Sequence, residues 1–231
     1  MTLPAFSAAG TGSETSAAWP SHSTGDLGLL FVNSTNNANN ATVDTPSGWT
    51  LLTAFESFTG NFVRLSIFYR FATSGSETAA SLSSPNSVQY LWGTIVTFTG
   101  VNTSTPVHSL VTQAMDSQAT QWLPGTVTVL DDCLIVQVAA WNNDSAGPLF
   151  SGETNSTLGS LTERYDAGTI TNNGGGLYVC TGTLATKGAA GPTQVTMSTG
   201  GALAAATIAL QAADKTDIKL GQKTRVINTG M

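Results

Sequence analysis

Residues 62–71 read FVRLSIFYRF, and residues 91–100 read LWGTIVTFTG. In the first stretch Val63, Leu65, Ile67 and Tyr69 alternate with Arg64, Ser66, Phe68 and Arg70. Successive residues of an extended chain point to opposite faces, so this spacing predicts a strand with one apolar face and one mixed face. In the second stretch Trp92, Thr94, Val96 and Phe98 alternate with Leu91, Gly93, Ile95 and Thr97. Both faces are apolar enough for a strand inside a sandwich, and Gly93 leaves room for a bulky neighbour.

Working outward, the same pattern recurs at 27–33 (LGLLFVN), 49–55 (WTLLTAF), 126–130 (TVTVL), 133–141 (CLIVQVAAW), 160–165 (SLTERY), 176–182 (GLYVCTG), 193–198 (TQVTMS) and 202–210 (ALAAATIAL). About ten short strands separated by turn residues predict an all-β protein, an antiparallel β-sandwich of jelly-roll-like form spanning residues 1–211. Segment 202–210 is Ala-rich, so helix competes there. Gly200 and Gly201 before it and Thr207-Ile208 within it favour a strand. The connecting stretches, such as NSTNNANNATVDTPSG and NNGGG, hold residues that accept positive φ or fix φ and are read as loops.

Only 10% of the 231 residues are Asp, Glu, Lys or Arg, and the formal charge is −6. The exterior is therefore coated by hydroxyls and amides, whose short side chains lose little rotamer freedom when a partner packs on them. The acidic balance argues against a nucleic-acid partner, which demands clustered bases. The bases that do gather, Lys215, Lys219, Lys223 and Arg225, are interleaved with Asp214 and Asp217. The N-terminal MTLPAFSAAG lacks a basic leader and no run reaches membrane-spanning length, so neither a secretory signal nor membrane insertion is expected. Cys133 and Cys180 each lie in an apolar strand; they are either two buried thiols or, if their strands are neighbours, a disulfide.

Several segments taken in order, GDLGLLFV (26–32 with its preceding Gly25), TPSGWTLL, LSIFYRFATSGSE, GTIVTFTGVNTSTPV, DDCLIVQVAAW and SLTERYDAGTITNNGGGLYVCTG, resemble β-sandwich proteins encoded by tailed bacteriophages and prophages. The likeness covers roughly residues 8–210 and rests on structural motifs, among them a Pro-x-Gly-Trp turn and Phe98-Thr99-Gly100-Val101. It implies a virion location, as head decoration or a tail or collar appendage, with capsid or tail proteins and further copies of the chain as partners. It carries over no catalytic residue. Residues 212–231 depart from the pattern and are read either as an assembly arm, through Lys215, Ile218, Leu220, Lys223, Arg225 and Val226, or as a frayed polar tail.

Candidate chemistry is sparse. His22 and His108 lie in turn-like polar sequence, and the Gly-x-Ser-x-Gly elbow is absent. Glu56, Glu77, Asp116, Glu153, Glu163 and Asp166 offer carboxylates for glycoside cleavage without a motif, and Glu163 is read as a solvated or paired strand residue near Arg164. No enzymatic activity and no cofactor are expected. Asp131-Asp132 and Asp144 flank one strand and suit either a structural calcium or the capping of turns. Trp122 and the group Trp141, Asn142, Asn143 and Asp144 fit a host-surface glycan site, where sugar rings stack on indole and amides take the hydroxyls. They fit also the closing of a core, the commoner place of a strand-end tryptophan. The sequons at Asn33 and Asn155 are expected by chance in so Asn- and Thr-rich a chain.

Overall fold

A computed structural model describes residues 2–36, 41–57, 62–86, 88–116 and 118–213. Before the midpoint the chain forms β1 (Ala5–Ala9), β2 (Ser16–Ala17), β3 (Leu27–Asn36), β4 (Thr50–Ser57), β5 (Phe62–Phe71), β6 (Ala80–Ser81) and β7 (Tyr90–Thr99). It continues with β8 (Val107–Met115), β9 (Thr120–Leu123), β10 (Thr126–Thr128), β11 (Cys133–Trp141) and β12 (Phe150–Thr154). The last strands are β13 (Gly159–Thr169), β14 (Gly175–Leu184), β15 (Gly188–Ala190), β16 (Thr193–Met197) and β17 (Leu203–Leu210).

Two five-stranded antiparallel sheets, ordered β1-β7-β3-β5-β4 and β13-β14-β11-β17-β8, form the sandwich. Leu29 and Phe31 of the first sheet, with Leu65 and Ile67, meet Val136 and Val138 of the second, with Val179 and Ile208, in one shared core. The Ala-rich 203–210 segment is a strand, fully buried. Its alanines let it pack closely between covered faces where longer side chains would not fit.

Each sheet collects its strands from one half of the chain, and the connection between them is made once, from β7 to β8. That departs from the jelly-roll wiring expected from sequence, in which successive strands cross between sheets. The physical reason is pairing: β3 finds β5 and β7 nearby in sequence, and β11 finds β14 and β17.

The outer faces are covered too. The three-stranded sheet β12-β16-β9 closes over Trp141, Tyr178, Leu203 and Ala205. The ribbon β10-β15 with Leu158 and Leu184 lies against Cys133, Ile135 and Ala209. On the first sheet β2-β6 and Trp49 cover Leu30, Val32, Phe68 and Ile95. There a Cβ on Gly93 would stand 2.7 Å from Leu82 Cδ1, so the glycine admits its bulky neighbour as the sequence predicts.

Pairing does not stop at residue 211. Ala212 bridges Val101, and Ala213 N–H donates to the Gly100 carbonyl at 2.9 Å. The arm residues Lys215, Ile218, Leu220, Lys223, Arg225 and Val226 lie outside the described residues.

Candidate functional site: an exposed tryptophan between two hollows

Trp122 sits on β9, an edge strand of the covering sheet, paired there with β16. Its neighbours Gln121 and Leu123 point into the protein, so strand alternation turns the indole outward, 52% exposed. The ring lines two hollows. One, of about 360 Å³, is formed with Thr154, Asn155, Ser156 and Pro192. The other, of about 260 Å³, is formed with Gln113, Asp116, Gln118 and Thr120 among others.

The walls are held by side chains already committed to the backbone. Gln121 Nε2 donates to the carbonyls of Asp116 at 2.7 Å and Gln118 at 3.0 Å, holding both residues against the strand. Asn155 Nδ2 donates to the Gly191 carbonyl at 2.8 Å while its Oδ1 accepts from Thr157 and Leu158 N–H. These bonds fix the loops without using the exposed hydroxyls of Thr154 and Ser156 or the amides of Gln113 and Gln118.

The other half of the predicted glycan group is placed elsewhere. Trp141 is 0% exposed and packs with its ring centroid 5.5 Å from that of Phe150, so it closes the core and offers no face to a ligand. The cause is position: it ends a strand covered on both sides. Asn143 Nδ2 donates to the Thr199 and Gly200 carbonyls at 3.1 and 2.7 Å, tying two loops together. Asn142 lies in the same partly buried turn, and the Asp144 carboxylate is packed beside Gly174. The site thus keeps Trp122 and loses Trp141, Asn142, Asn143 and Asp144 as its companions. Thr154, Ser156 and Pro192, which sequence reasoning missed, are brought in by β12 and the turn before β16; no local pattern announces them.

The interior opposite shows why Trp141 is locked. Asn33, buried on β3, donates from Nδ2 to the Trp141 carbonyl at 2.6 Å and the Gly176 carbonyl at 2.9 Å, and the Tyr90 hydroxyl donates to the Trp141 carbonyl at 2.9 Å. A Cβ at Gly175, where φ is 155°, would collide with the Tyr90 hydroxyl, and one at Gly176 with the Trp141 ring. The NNGGG loop is therefore glycine-rich because two sheets are stapled through it. Asn33 is wholly interior, and the sequon nitrogen of Asn155 is engaged as above.

The remaining candidates are structural in their contacts. Asp131 Oδ1 accepts from Lys187 N–H at 2.7 Å, a turn cap, and the strand β11 separates the Asp131-Asp132 pair from Asp144. Among the described residues no three His, Cys, Asp or Glu side chains are grouped to hold a metal. Cys180 pairs across the ladder with Gln137 and not Cys133, four positions away, so no disulfide joins the two buried cysteines. Burial pushes the Cys180 thiol up to about 12. His108 lies on β8 instead of in a turn, accepting Val129 N–H at Nε2, and His22 Nδ1 stands 2.6 Å from the Pro20 carbonyl.

Three of the carboxylates do converge. The Tyr178 hydroxyl donates to Glu153 at 2.8 Å, and burial followed by the Glu153 charge raises Glu163. Burial pushes Asp166 up to about 7, against the pull of Phe150 and Leu149 N–H, both of which its Oδ2 accepts. Those two bonds anchor the loop before β12. Arg164 turns to Phe6, 4.3 Å above its ring, and to Thr181, so Glu163 answers to Glu153 more than to its sequence neighbour.

The class defined by fold and site is an antiparallel β-sandwich with an exposed aromatic ledge. No family model, no curated protein and no solved structure matches the chain.

Proposed function

We propose that this chain is a non-enzymatic subunit on the outer surface of a tailed-phage virion, in a head decoration or a tail or collar appendage. It works through contacts with capsid or tail proteins and with copies of itself. The observation that carries the reading is the exterior: only 10% of the residues are charged, while Leu51, Trp122, Val127, Val129 and Ile170 stand exposed. Such a surface docks at low cost in side-chain ordering and in charge desolvation. The resemblance of its strand and turn motifs to phage sandwich proteins supplies the setting. Quantitative mass spectrometry of gradient-purified particles tests it: the chain is expected at a fixed copy number per particle. Its absence from particles made in cells that express it would defeat the proposal.

A second reading, attachment to a host glycan, is favoured by Trp122 and its flanking hydroxyls and amides. The two are compatible, since an exterior subunit is where an attachment site belongs. Binding to host polysaccharide that disappears in Trp122→Ala supports it; equal binding by that variant removes it.

A further inference from the structure

The two hollows at Trp122 have a third neighbour. A depression of about 510 Å³ is lined by Ser109, Val111, Val127 and Pro192 among others. Pro192 also lines the first hollow, and Trp122 lines the first and second, so the three share walls in sequence. One strand runs beneath both ends. Ser109 and Val111 of β8 border the third hollow and Gln113 borders the second, at spacing two and so on one face of the strand. At about 3.3 Å per residue the stretch from Ser109 to Asp116 is roughly 23 Å long.

We infer that these hollows form one trough that binds an extended, electrically neutral polysaccharide chain, with Trp122 as the stacking platform near its middle. The inference rests on the glycan reading above and names the ligand. Length excludes a single sugar as the matching ligand: a monosaccharide would fill one hollow and leave the others wet. Chemistry fits sugar rings. Their C–H faces pack on the half-exposed indole, and Pro192 and Val127 give further flat apolar contact. Thr154, Ser156, Gln113, Gln118 and Thr120 supply donors and acceptors for ring hydroxyls.

Charge selects the class of glycan. Asp116 is the one charged residue among the described residues lining the three hollows, and no Lys or Arg joins it. An acidic polymer would set its carboxylates or sulfates against Asp116 and against a chain of net charge −6, with no cation to take them. A neutral polymer meets no such cost. The walls are preformed by Gln121 and Asn155, so little ordering is required on binding.

The test is calorimetry and affinity electrophoresis of the whole chain with soluble neutral polymers (a dextran, a galactomannan, a β-glucan, chitin oligosaccharides) and acidic ones (alginate, polysialic acid). At least one neutral polymer is expected to bind, its affinity rising with oligomer length, and no acidic one. Trp122→Ala should weaken binding about tenfold or more with the fold intact, since the side chain is exposed. Val127→Arg should weaken long oligomers while sparing short ones, and Asp116→Lys should admit acidic polymers. If only acidic polymers bind, and do so through Trp122, the neutral-ligand inference is overturned while the glycan reading survives. Binding that ignores Trp122 and Val127 overturns the trough. Silence across every polymer removes the glycan reading itself, and particle association lost in Trp122→Ala would then assign the ledge to a protein partner.

Discussion

Strands β5 and β11 are both long and central, yet they solve different problems. On β5 the inward residues Val63, Leu65 and Ile67 are fully buried, while the outward face ends in Arg64 and Arg70. Arg64 bonds Glu56 at 2.9 Å and Arg70 bonds Glu77 at 2.7 Å. On β11 all nine residues are buried, and the face turned from the main core carries Cys133, Ile135, Gln137, Ala139 and Trp141 beneath two covering sheets. The difference teaches that β11 is covered from end to end on both faces, whereas β5 is covered on its outward face only at its middle, around Phe68, and carries charge at its rim. A strand covered on both faces has little water to satisfy a polar group, and on β11 the Gln137 amide is bonded to Pro124, Thr207 and Thr193, whereas the Trp141 indole N–H is left without a partner among the described residues.

The comparison is broken hardest at Trp141. Trp141→Ala should cost about 3–5 kcal/mol, because a large cavity opens between two layers that cannot both collapse. Thermal unfolding of the variant should show this; a stable variant would mean that the covering sheet is loosely seated. Next is Gln137, which donates to the Pro124 carbonyl at 3.0 Å and accepts from Thr193. Gln137→Ala strands those partners and is expected to cost about 1–3 kcal/mol in denaturant titrations.

Acid sensitivity sharpens the contrast. Glu77 is held at about 2, chiefly by the Thr73 hydroxyl and N–H and then by Ser74 N–H and Arg70, so its contribution is present above its ordinary value of 4.5 and is lost as pH falls towards 2. Asp166 runs the other way. Raised from 3.8 to about 7, it binds a proton more tightly in the folded state, so its contribution is full below 3.8 and lost as pH rises through 7. Urea midpoints between pH 4 and 8 should fall less steeply in Asp166→Asn than in the parent; an unchanged slope would place the titration elsewhere. The smallest effect is expected at the rim. Arg70→Ala should cost no more than about 1 kcal/mol, and the Glu77 carboxyl, followed by NMR, should stay well below its ordinary value because Arg70 is the least of its causes.

Periodicity alone made most of the sandwich legible. Eight of the ten strands in the two main sheets carry alternating or continuous apolar runs that mark them. The two that escaped, β1 and β8, are both sheet edges. An edge strand is half wet, so residues such as Ser109, Thr112 and Gln113 dilute the pattern, and His108 passed for a turn residue. The reverse holds for TVTVL and TQVTMS, read as sandwich strands and found in the covering ribbons β10 and β16. Alternation says that one face is buried, not against which layer. The candidate site was half legible for a related reason. Trp122 and Trp141 both stand beside a loop rich in turn-forming or amide residues; only the layer placed over one of them separates ledge from core.

The sequence by itself determined the strand content, the antiparallel sandwich and the sparsely charged exterior, because these follow from the local order of apolar, polar and turn-forming residues. The tertiary structure decided the segregated wiring of the sheets, the second covering layer and the hollows beside Trp122. Those depend on which distant strands meet, through bonds such as Asn33 to Trp141 and Asn155 to Gly191, and no local window of residues encodes a partner more than a hundred or even thirty-six positions away.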